Sequence, residues 1–252
     1  MTSISAVILT RNNQSNIGRL IRSLGWCDQV VVIDDQSVDR THAIARKSGA
    51  QVLVHPLGHN FAAQRNFGLT QVTTDWAFFV DTDEVVTPSL AAEIKSVLNS
   101  AADGFFITRL DYFLGKKLMW GETGQLQLIR LARRQMGRWH RPVHEIWRIK
   151  GSVGQLKSPL YHYPHPTLAD FFNKINHYTN IEAGYRRRQF DLFELIFYPP
   201  GKFFYNYFIK LGFLDGIPGL IMAVMMSLHS LLVRLKLYEK SLAGSHYHPG
   251  SR

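Results

Sequence analysis

The sequence has little cysteine, little charge and no pattern of a signal peptide, and each of these absences excludes a class of protein. It contains one cysteine, Cys27, which excludes an intramolecular disulfide framework and a cysteine-rich zinc site and favours a reducing compartment. Only 19% of the residues are charged against 46% hydrophobic, which excludes an intrinsically disordered chain. The N-terminus, MTSISAVILTRNN, lacks a basic n-region and a long apolar run, so we expect no secretory signal.

Phosphate-binding loops are absent as well. The sequence has no G-x-x-x-x-G-K-[ST] run and no G-x-G-x-x-G after a strand pattern, which disfavours P-loop nucleotidases and dinucleotide enzymes. Residues 10–13 contain no glycine, which disfavours a nucleotidyltransferase that forms sugar nucleotides on a glycine-rich N-terminal loop. We therefore expect any bound diphosphate to be held through a metal ion.

The positive charge is unevenly distributed. Lys and Arg outnumber Asp and Glu by 29 to 19, a formal charge of +10, but residues 1–129 carry 11 basic and 12 acidic side chains. Residues 130–252 carry 18 basic and 7 acidic side chains. This excess indicates a surface for nucleic acid, anionic lipid or a phosphorylated substrate, without choosing among them.

Short apolar runs alternate with helical patterns over residues 1–100. The runs predict strands at residues 5–9, 30–33, 51–54 and 76–80. Helical spacing predicts helices at residues 16–24, 41–48 and 60–69, and one that begins at Thr87-Pro88. This order predicts an α/β fold with a doubly wound, mostly parallel sheet.

The alternation stops after residue 104. The patterns there predict strands at residues 104–110 and 125–131, an irregular basic and aromatic stretch at 133–149, and a helix at 168–189. We predict a catalytic domain over residues 1–165, with a nucleotide-binding half (1–100) and an acceptor half (101–165). A helical, basic and aromatic extension that associates with a membrane follows over residues 166–252.

Polar clusters follow three of the predicted strands, at residues 10–13, 34–37 and 81–84. Open α/β sheets bind ligands at the carboxyl ends of their strands, so the three clusters predict one crevice. The alternative is that Asp and Ser residues such as Ser37 and Asp39 cap the following helices. The paired carboxylates Asp34 and Asp35 favour the ligand-binding interpretation.

Asp81-Thr82-Asp83 is the most informative motif. Two carboxylates at positions i and i+2 after an apolar strand suit a hard cation such as Mg²⁺ or Mn²⁺, which also binds diphosphate oxygens. A D-x-D triplet is common by chance, but its place after WAFFV and beside a second acidic strand end makes it specific.

Four ordered runs resemble the inverting family-2 glycosyltransferases of bacteria, which have the GT-A fold: SAVILTRNN, VVVIDDQSVDRT, NFAAQRNFGL and DWAFFVDTDE. The resemblance extends to a subgroup similar to lipopolysaccharide core glucosyltransferases through WHRPVHE (139–145), NHYTNIEA (176–183) and YFIKLGFLDGIPG (207–219). It implies a GT-A, Rossmann-like mixed sheet and transfer of a sugar from a nucleotide-diphosphate donor, a UDP-sugar, with inversion. The acceptor it implies is a hydroxyl of a membrane glycolipid such as the lipopolysaccharide inner core.

The resemblance also assigns the nucleotide-binding residues. It implies that Thr10 and Asn12 line the nucleotide pocket. Asp35 would contact the base, with Asp34 supporting it. At the next position this chain has Gln36, where the family commonly has Gly or Asn.

Three further residues take roles at the donor by resemblance. Arg65, in the QRN run, would approach the nucleotide. Asp81 would hold the ribose of the donor and Asp83 the metal ion bound to the diphosphate.

An inverting transferase needs one general base on the acceptor hydroxyl. Glu145 is the candidate, because the family's base lies well downstream of the D-x-D motif; Glu122 and Asp111 are weaker candidates. The alternative is that Glu145 neutralises a nearby arginine. The basic residues before it suit either diphosphate or acceptor phosphates, or form a solvated face: Arg133, Arg134, Arg138 and Arg141.

The C-terminal segment predicts where the enzyme works. Residues 216–233 carry no formal charge, and the preceding PPGKFFYNYFIKLGF mixes aromatic residues with Lys as interfacial helices do. Basic residues suited to anionic head groups flank it: Lys202, Lys210, Arg234, Lys236 and the run 186–188. We predict a peripheral or monotopic enzyme on the cytoplasmic face of the bacterial inner membrane, with a single membrane span or a buried helical hairpin as the alternatives.

Two rival functions remain. A polyprenyl-phosphate glycosyltransferase has an acceptor that is already an anion and needs no general base. A nucleic-acid-binding protein fits the high pI and the aromatic content but has no use for three carboxylate clusters, so we expect no nucleic-acid partner.

Overall fold

The computed structural model describes residues 2–164, 167–186 and 190–245. The chain forms two compact units, one of Met1–Leu110 with Gln125–Pro164 and one of Asp111–Gly124 with His165–Arg252. The domain boundaries drawn from the sequence stay a prediction. Of the predicted basic run 186–188, residues 187 and 188 lie outside the described residues.

The first unit is built on a mixed sheet. The strands of the chain in order are β1 (Ile4–Thr10), β2 (Gln29–Asp34), β3 (Gln51–Val54), β4 (Trp76–Phe79), β5 (Glu84–Val85), β6 (Gly104–Phe113), β7 (Lys116–Lys117), β8 (Leu126–Arg133), β9 (Gly137–His140), β10 (Ile146–Ile149), β11 (Val153–Gln155) and β12 (Leu160–His162). Of these, β7 and the last three residues of β6 belong to the second unit. The order across the sheet is β3-β2-β1-β4-β8-β6-β12-β5, with β7 and β11 each pairing with β6. Strands β3, β2, β1 and β4 are parallel, whereas β8 is antiparallel to β4 and to β6.

Helices cover both faces of the parallel strands. They are α1 (Ile17–Ser23), α2 (Thr41–Lys47), α3 (Phe61–Thr70) and α4 (Pro88–Val97). Alternate residues of β1 point to opposite sides, so that Ala6 and Ile8 join the core with α1, α2 and α4. Val7 joins the other core layer, beneath α3 and β9.

Capping side chains mark the starts of α3 and α4. Asn60 accepts a hydrogen bond from the backbone N–H of Ala63 at the start of α3. Thr87 accepts one from Leu90 at the start of α4, with Pro88 in the first turn. The four strands and four helices predicted for residues 1–100 are confirmed, and the short strand β5 is an addition.

The prediction of an irregular stretch at residues 133–149 was wrong. Strands β9 and β10 pair there as an antiparallel hairpin with Trp139 opposite Trp147. The two indoles stack at 5.2 Å, and Phe79 of β4 meets each edge-on at 5.0 Å. Each of these strands is four residues long and has one buried residue, a tryptophan, so the apolar alternation is too short to recognise among the arginines.

The second unit is mainly helical. Its helices are α5 (Leu168–Tyr185), α6 (Leu192–Phe204) and α7 (Gly216–Ser245), with a π-helical turn at Tyr205–Ile209 and a 3₁₀ turn at Gly212–Asp215 between the last two. Helix α5 ends at Tyr185, because Arg186 has extended backbone angles, and the helix end predicted at residue 189 lies outside the described residues. Helix α6 continues through Pro199 and Pro200, which the sequence patterns did not predict.

Buried polar groups anchor the turns of the second unit. The carboxylate of Asp215 is 3% exposed and accepts hydrogen bonds from the backbone N–H groups of Met119 and Trp120. Lys202 and Asn206 donate to the carboxylate of Glu122 at 2.8 and 3.1 Å. Glu122, a weaker candidate for the base, therefore has a structural role within this unit.

Gly68 provides a test of the packing between α3 and the sheet. A Cβ atom there would lie 2.8 Å from Cγ1 of Val7 and 3.2 Å from Cγ1 of Ile33, both rigid core side chains. We predict that Gly68→Ala destabilises the protein by about 1–3 kcal/mol. The matched control is Gly201→Ala in α6, where a Cβ meets nothing within 4 Å, so its gain in helix propensity stabilises by up to about 1 kcal/mol. Unfolding midpoints that move in the same direction for both variants would contradict this account.

Candidate functional site

The three predicted polar clusters lie at one edge of the sheet. Thr10 and Asp34 are register partners at the ends of β1 and β2, and the N–H of Val80, after β4, bonds to the carbonyl of Val7. The strands are parallel, so their carboxyl ends open on the same side, where ligands bind in such sheets. The three polar clusters therefore share one edge of the sheet, and a ligand crevice there stays a prediction.

The loop after β2 is shaped by Asp34 and Asn12. Both carboxylate oxygens of Asp34 accept from Ser37, one from its hydroxyl and one from its N–H. The carboxamide oxygen of Asn12 accepts from the N–H of Val38 at 2.9 Å. Gln36 lies between with φ +52°, a left-handed conformation that Gly or Asn adopts more easily. These contacts hold the turn with Gln36 in that conformation.

Asp35 and Thr10 are buried at the ends of β2 and β1. Asp35 is 7% exposed; one oxygen accepts from the N–H of Leu57 at 2.7 Å and the other from Arg11 at 3.1 Å. Within residues 2–164, 167–186 and 190–245, the buried hydroxyl of Thr10 has no hydrogen-bond partner. A buried hydroxyl without a partner is costly, so it fits a ligand group that supplies one.

The QRN run places its three side chains on three different partners. Gln64 donates to the carbonyl of His55 at 2.7 Å. Asn66 donates to the carbonyl of Trp139 and accepts from its N–H, both at 2.9 Å, which fixes the hairpin against α3. Arg65, between them, faces the end of β4.

Arg65 joins two of the predicted site residues. Its Nη2 lies 2.9 Å from Oδ1 of Asp81, and its Nε lies 2.8 Å from Oε1 of Glu145. The guanidinium is only 4% exposed and lies over the ring of Trp139 at 4.8 Å. The buried cation of Arg65 thus joins Asp81 to Glu145, which lies 80 positions after Arg65 in the chain.

Arg130, on β8, was missed by the sequence analysis. Its Nη2 bonds to Oδ2 of Asp81 at 2.5 Å and to Oε1 of Glu84 at 3.0 Å, with the Arg130 side chain 6% exposed. Glu84 in turn accepts from the N–H of Asp81 at 2.8 Å. The acidic run 81–84 gave a signal for Glu84, but nothing near Arg130 distinguishes it from the other arginines in the sequence.

This ion network controls the charge of Asp81. Burial by itself raises the pKa of Asp81, but the attraction of Arg130 and then of Arg65 outweighs it, so the pKa lies well below its usual range. Burial raises the pKa of Glu84, and Arg130 offsets this only in part. Asp81 is therefore an anion whose two oxygens are already bound to guanidinium groups.

Asp83 has different neighbours. Its Oδ1 lies 3.5 Å from Nε2 of His162, at the end of β12, and its carbonyl accepts from the N–H of Tyr163. A carboxylate beside an imidazole is a donor set that suits Mn²⁺, and one that also serves Mg²⁺ through the carboxylate. His162 pairs across the strands with Glu84, a long-range neighbour that no spacing in the sequence predicted.

The predicted residues thus form two groups. Thr10, Asn12, Asp34 and Asp35 lie around the ends of β1 and β2, and Arg65, Asp81 and Glu145 are joined by ion pairs at the end of β4. Asp111, the other weaker candidate for the base, is assigned to the second unit and is 2% exposed.

Arg130 can be tested through stability. Replacement by Met leaves Asp81 and Glu84 buried with one fewer counter-charge, so we predict that Arg130→Met lowers the free energy of unfolding by about 3–5 kcal/mol. Arg46→Met, on the exposed side of α2, should change it by about 0.5 kcal/mol or less. Urea unfolding of both variants measures the difference. A cost for Arg130→Met equal to that of the control would show that the network carries no stability.

Comparison with known proteins agrees with this geometry. Residues 5–150 match the model of glycosyl transferase family 2. The chain is 27% identical to the lipopolysaccharide core biosynthesis glycosyltransferase LpsC of Rhizobium meliloti, over 94% of this chain and 92% of LpsC. It is 26% identical to an uncharacterized glycosyltransferase, RC0292, of Rickettsia conorii, over 95% and 91% of the two chains.

A solved structure shares the fold. Glucosyl-3-phosphoglycerate synthase from Mycobacterium tuberculosis, in complex with Mn²⁺, UDP and phosphoglyceric acid, superposes with a TM-score of 0.50 over 72% of this chain and 76% of that chain, at 15% identity. The GT-A fold implied by the resemblance is confirmed, together with a long apolar C-terminal helix. The chain belongs to glycosyl transferase family 2.

Proposed function

We propose that this glycosyltransferase is metal-dependent and moves a sugar from a UDP-sugar, with inversion, to a hydroxyl of a membrane glycolipid such as the lipopolysaccharide inner core. The observation that carries the proposal is the ion-paired group Glu145–Arg65–Asp81. It brings a carboxylate from far along the chain beside the D-x-D motif, where an acceptor hydroxyl and a donor must meet.

The donor would bind across the two groups of residues. The hydroxyl of Thr10 and the carboxylate of Asp35 supply polar contacts for the nucleoside, and Asn12 and Asp34 hold the loop around it. Arg65 and Asp81 come next along the crevice, where the resemblance puts the ribose and the diphosphate. The related synthase from Mycobacterium tuberculosis was solved with UDP and Mn²⁺, which supports a uridine donor here.

The charge of the site favours a divalent cation. Arg65 and Arg130 already bind Asp81, Glu84 and Glu145, so the guanidinium groups bring no excess positive charge to a diphosphate. Asp83 and His162 would hold the ion, since both oxygens of Asp81 are bonded to arginines. A divalent ion there supplies the charge that stabilises the departing UDP.

Glu145 is proposed as the base. One of its oxygens is held by Arg65 at 2.8 Å, and its side chain is 18% exposed, so the carboxylate is oriented and still reachable. Glu145 accepts the proton of the acceptor hydroxyl while the acceptor oxygen forms a bond to the anomeric carbon. The bond from that carbon to the diphosphate oxygen breaks on the opposite face, and UDP leaves with the electron pair.

The second unit is proposed to bind the membrane. Large apolar side chains of α6 and α7 are exposed, among them Phe193 at 68%, Phe197 at 57% and Ile217 at 72%. By length and composition, one helical stretch, Gly212–Leu242, is apolar enough to cross a bilayer, with 33% of its most apolar window buried. Aromatic side chains next to Lys202 and Lys210 are typical of a surface that lies in the interface.

The acceptor and the location are inferred together. The similarity to LpsC supports a lipopolysaccharide acceptor, and such an acceptor lies in a membrane. Nucleotide sugars and the single cysteine both fit the cytoplasm, so we place the enzyme on the cytoplasmic face of the bacterial inner membrane.

The roles of Asp83 and Glu145 are separable by kinetics. We predict that Asp83→Ala abolishes transfer from a UDP-sugar to membrane glycolipid extract, and that EDTA does the same to the unaltered protein. Glu145→Gln should lower kcat by about 10²–10⁴-fold and leave UDP affinity unchanged, because the base acts on the acceptor. Transfer assays over UDP-, GDP- and ADP-sugars with each variant provide the measurement.

Glu122→Gln is the matched control, since Glu122 bonds only within the second unit in the contacts described above. It should retain most of the kcat. Near-normal transfer by Asp83→Ala would contradict the metal-dependent mechanism. Transfer that survives Glu145→Gln would favour a polyprenyl-phosphate acceptor, which needs no base.

The membrane surface is testable with vesicles of phosphatidylethanolamine and phosphatidylglycerol. Replacing Phe193 and Phe197 together by Ser removes two exposed rings, so we predict at least a tenfold weaker partition, about 1.4 kcal/mol. Val54→Ser, at 57% exposure in the first unit, should leave partition unchanged. Co-sedimentation with the vesicles measures the partition of the unaltered protein, the double variant and the Val54→Ser control. Equal sedimentation of the double variant and the control would place the membrane surface elsewhere.

A further inference from the structure

The hairpin that carries Glu145 has two unlike faces. Trp139 and Trp147 form the buried face and pack on Phe79. On the other face Arg138 and Arg148 are exposed register partners, directly opposite each other across β9 and β10. Two like charges in this arrangement repel, which is unfavourable for the hairpin by itself.

In the part of the chain that the structure describes, no carboxylate is paired with these two arginines. Among residues 2–164, 167–186 and 190–245, the side chains of Arg138, Arg141 and Arg148 form neither an ion pair nor a hydrogen bond. Other arginines nearby do have partners: Arg133 lies 3.7 Å from Asp103 and donates to the carbonyl of Ser100. The basic stretch therefore divides into arginines with structural contacts and arginines that offer all their donors to solvent.

Two of these arginines, Arg138 and Arg141, border a cleft, and Arg148 lies opposite Arg138 on the neighbouring strand. A space of about 500 Å³ lies between the first turns of α3 and strand β9. Its lining residues are Asn60, Ala62, Ala63, Asn66, Arg138, Trp139, His140, Arg141 and Pro142. The hairpin is fixed here by the two hydrogen bonds between Asn66 and Trp139, so the arginines are presented from a rigid support.

We propose that Arg138, Arg148 and Arg141 form a phosphate-binding face that recognises a phosphate monoester on the acceptor saccharide. Guanidinium groups bind phosphate through paired charge-assisted hydrogen bonds, and a phosphate between Arg138 and Arg148 removes their repulsion. The turn of the same hairpin carries Glu145, so a phosphate held on this face orients the acceptor relative to the base. The inference rests on the proposed function and adds to it that the acceptor is phosphorylated.

An edge strand is also protected from aggregation by any charged side chain, and this is the competing explanation. Protection does not need two arginines opposite each other, since a Glu at position 148 would protect the edge and attract Arg138. The two explanations differ in one respect: only a binding face discriminates a phosphorylated sugar from a neutral one.

The test uses the full chain with UDP and Mn²⁺ in excess, so that the donor site is filled. Glucose 6-phosphate and glucose are titrated separately, and binding is followed by tryptophan fluorescence, because Trp139 and Trp147 form the reverse face of the hairpin. We predict that glucose 6-phosphate binds at least tenfold more tightly than glucose. Arg138→Gln combined with Arg148→Gln should weaken glucose 6-phosphate binding by about tenfold or more and leave UDP affinity unchanged.

Arg46→Gln is the matched control, an exposed arginine on a helix that packs against the opposite face of the sheet, and should change neither affinity by more than about twofold. Equal binding of the two sugars to the unaltered protein, or no effect of the double variant, would overturn the proposal. The proposal would also be overturned if the double variant lost binding to phosphatidylglycerol vesicles but bound glucose 6-phosphate like the unaltered protein, because the face would then serve a lipid headgroup. Failure of the unaltered protein to bind UDP would instead contradict the proposed function.

Discussion

The ion pairs of Asp81 with two buried arginines are the interaction on which the candidate site depends. Arg65 comes from a helix, Arg130 from a central strand and Asp81 from the end of a neighbouring strand, and Arg65 also holds Glu145. A buried ion network contributes little net stability, but breaking it leaves uncompensated charge. Its effect here is to fix four chain segments at one point of the crevice, so that the two carboxylates proposed for donor and acceptor lie at a set separation.

These ion pairs also make the two carboxylates of the D-x-D motif unlike each other. Asp81 has both oxygens engaged by guanidinium groups, whereas Asp83 lies beside the imidazole of His162. Two residues that look alike in the sequence therefore have different neighbours. The roles that the family resemblance implied, ribose for Asp81 and metal for Asp83, remain proposals for this chain.

Local patterns were sufficient to predict the parallel half of the fold. Strand β3 has the predicted bounds, β1 and β2 are longer than predicted by one residue at each end, and β4 is one residue shorter, because continuous apolar runs mark buried strands. The clusters at the strand ends were found for the same reason. Arg130 and His162 were not, since their importance comes from contacts with residues 49 and 79 positions away. The hairpin of β9 and β10 was missed because arginines occupy its exposed face, and α6 because prolines rarely continue a helix.

The central claim is that Asp83, and not Asp81, holds the metal ion while Asp81 stays bound to its arginines. Crystals grown with Mn²⁺ and UDP, measured at the manganese absorption edge, test it directly through the anomalous difference map. The account predicts one manganese peak in contact with the carboxylate of Asp83, with Arg65 and Arg130 still bonded to Asp81. A peak in contact with Asp81 and the two arginines displaced from it would contradict the account.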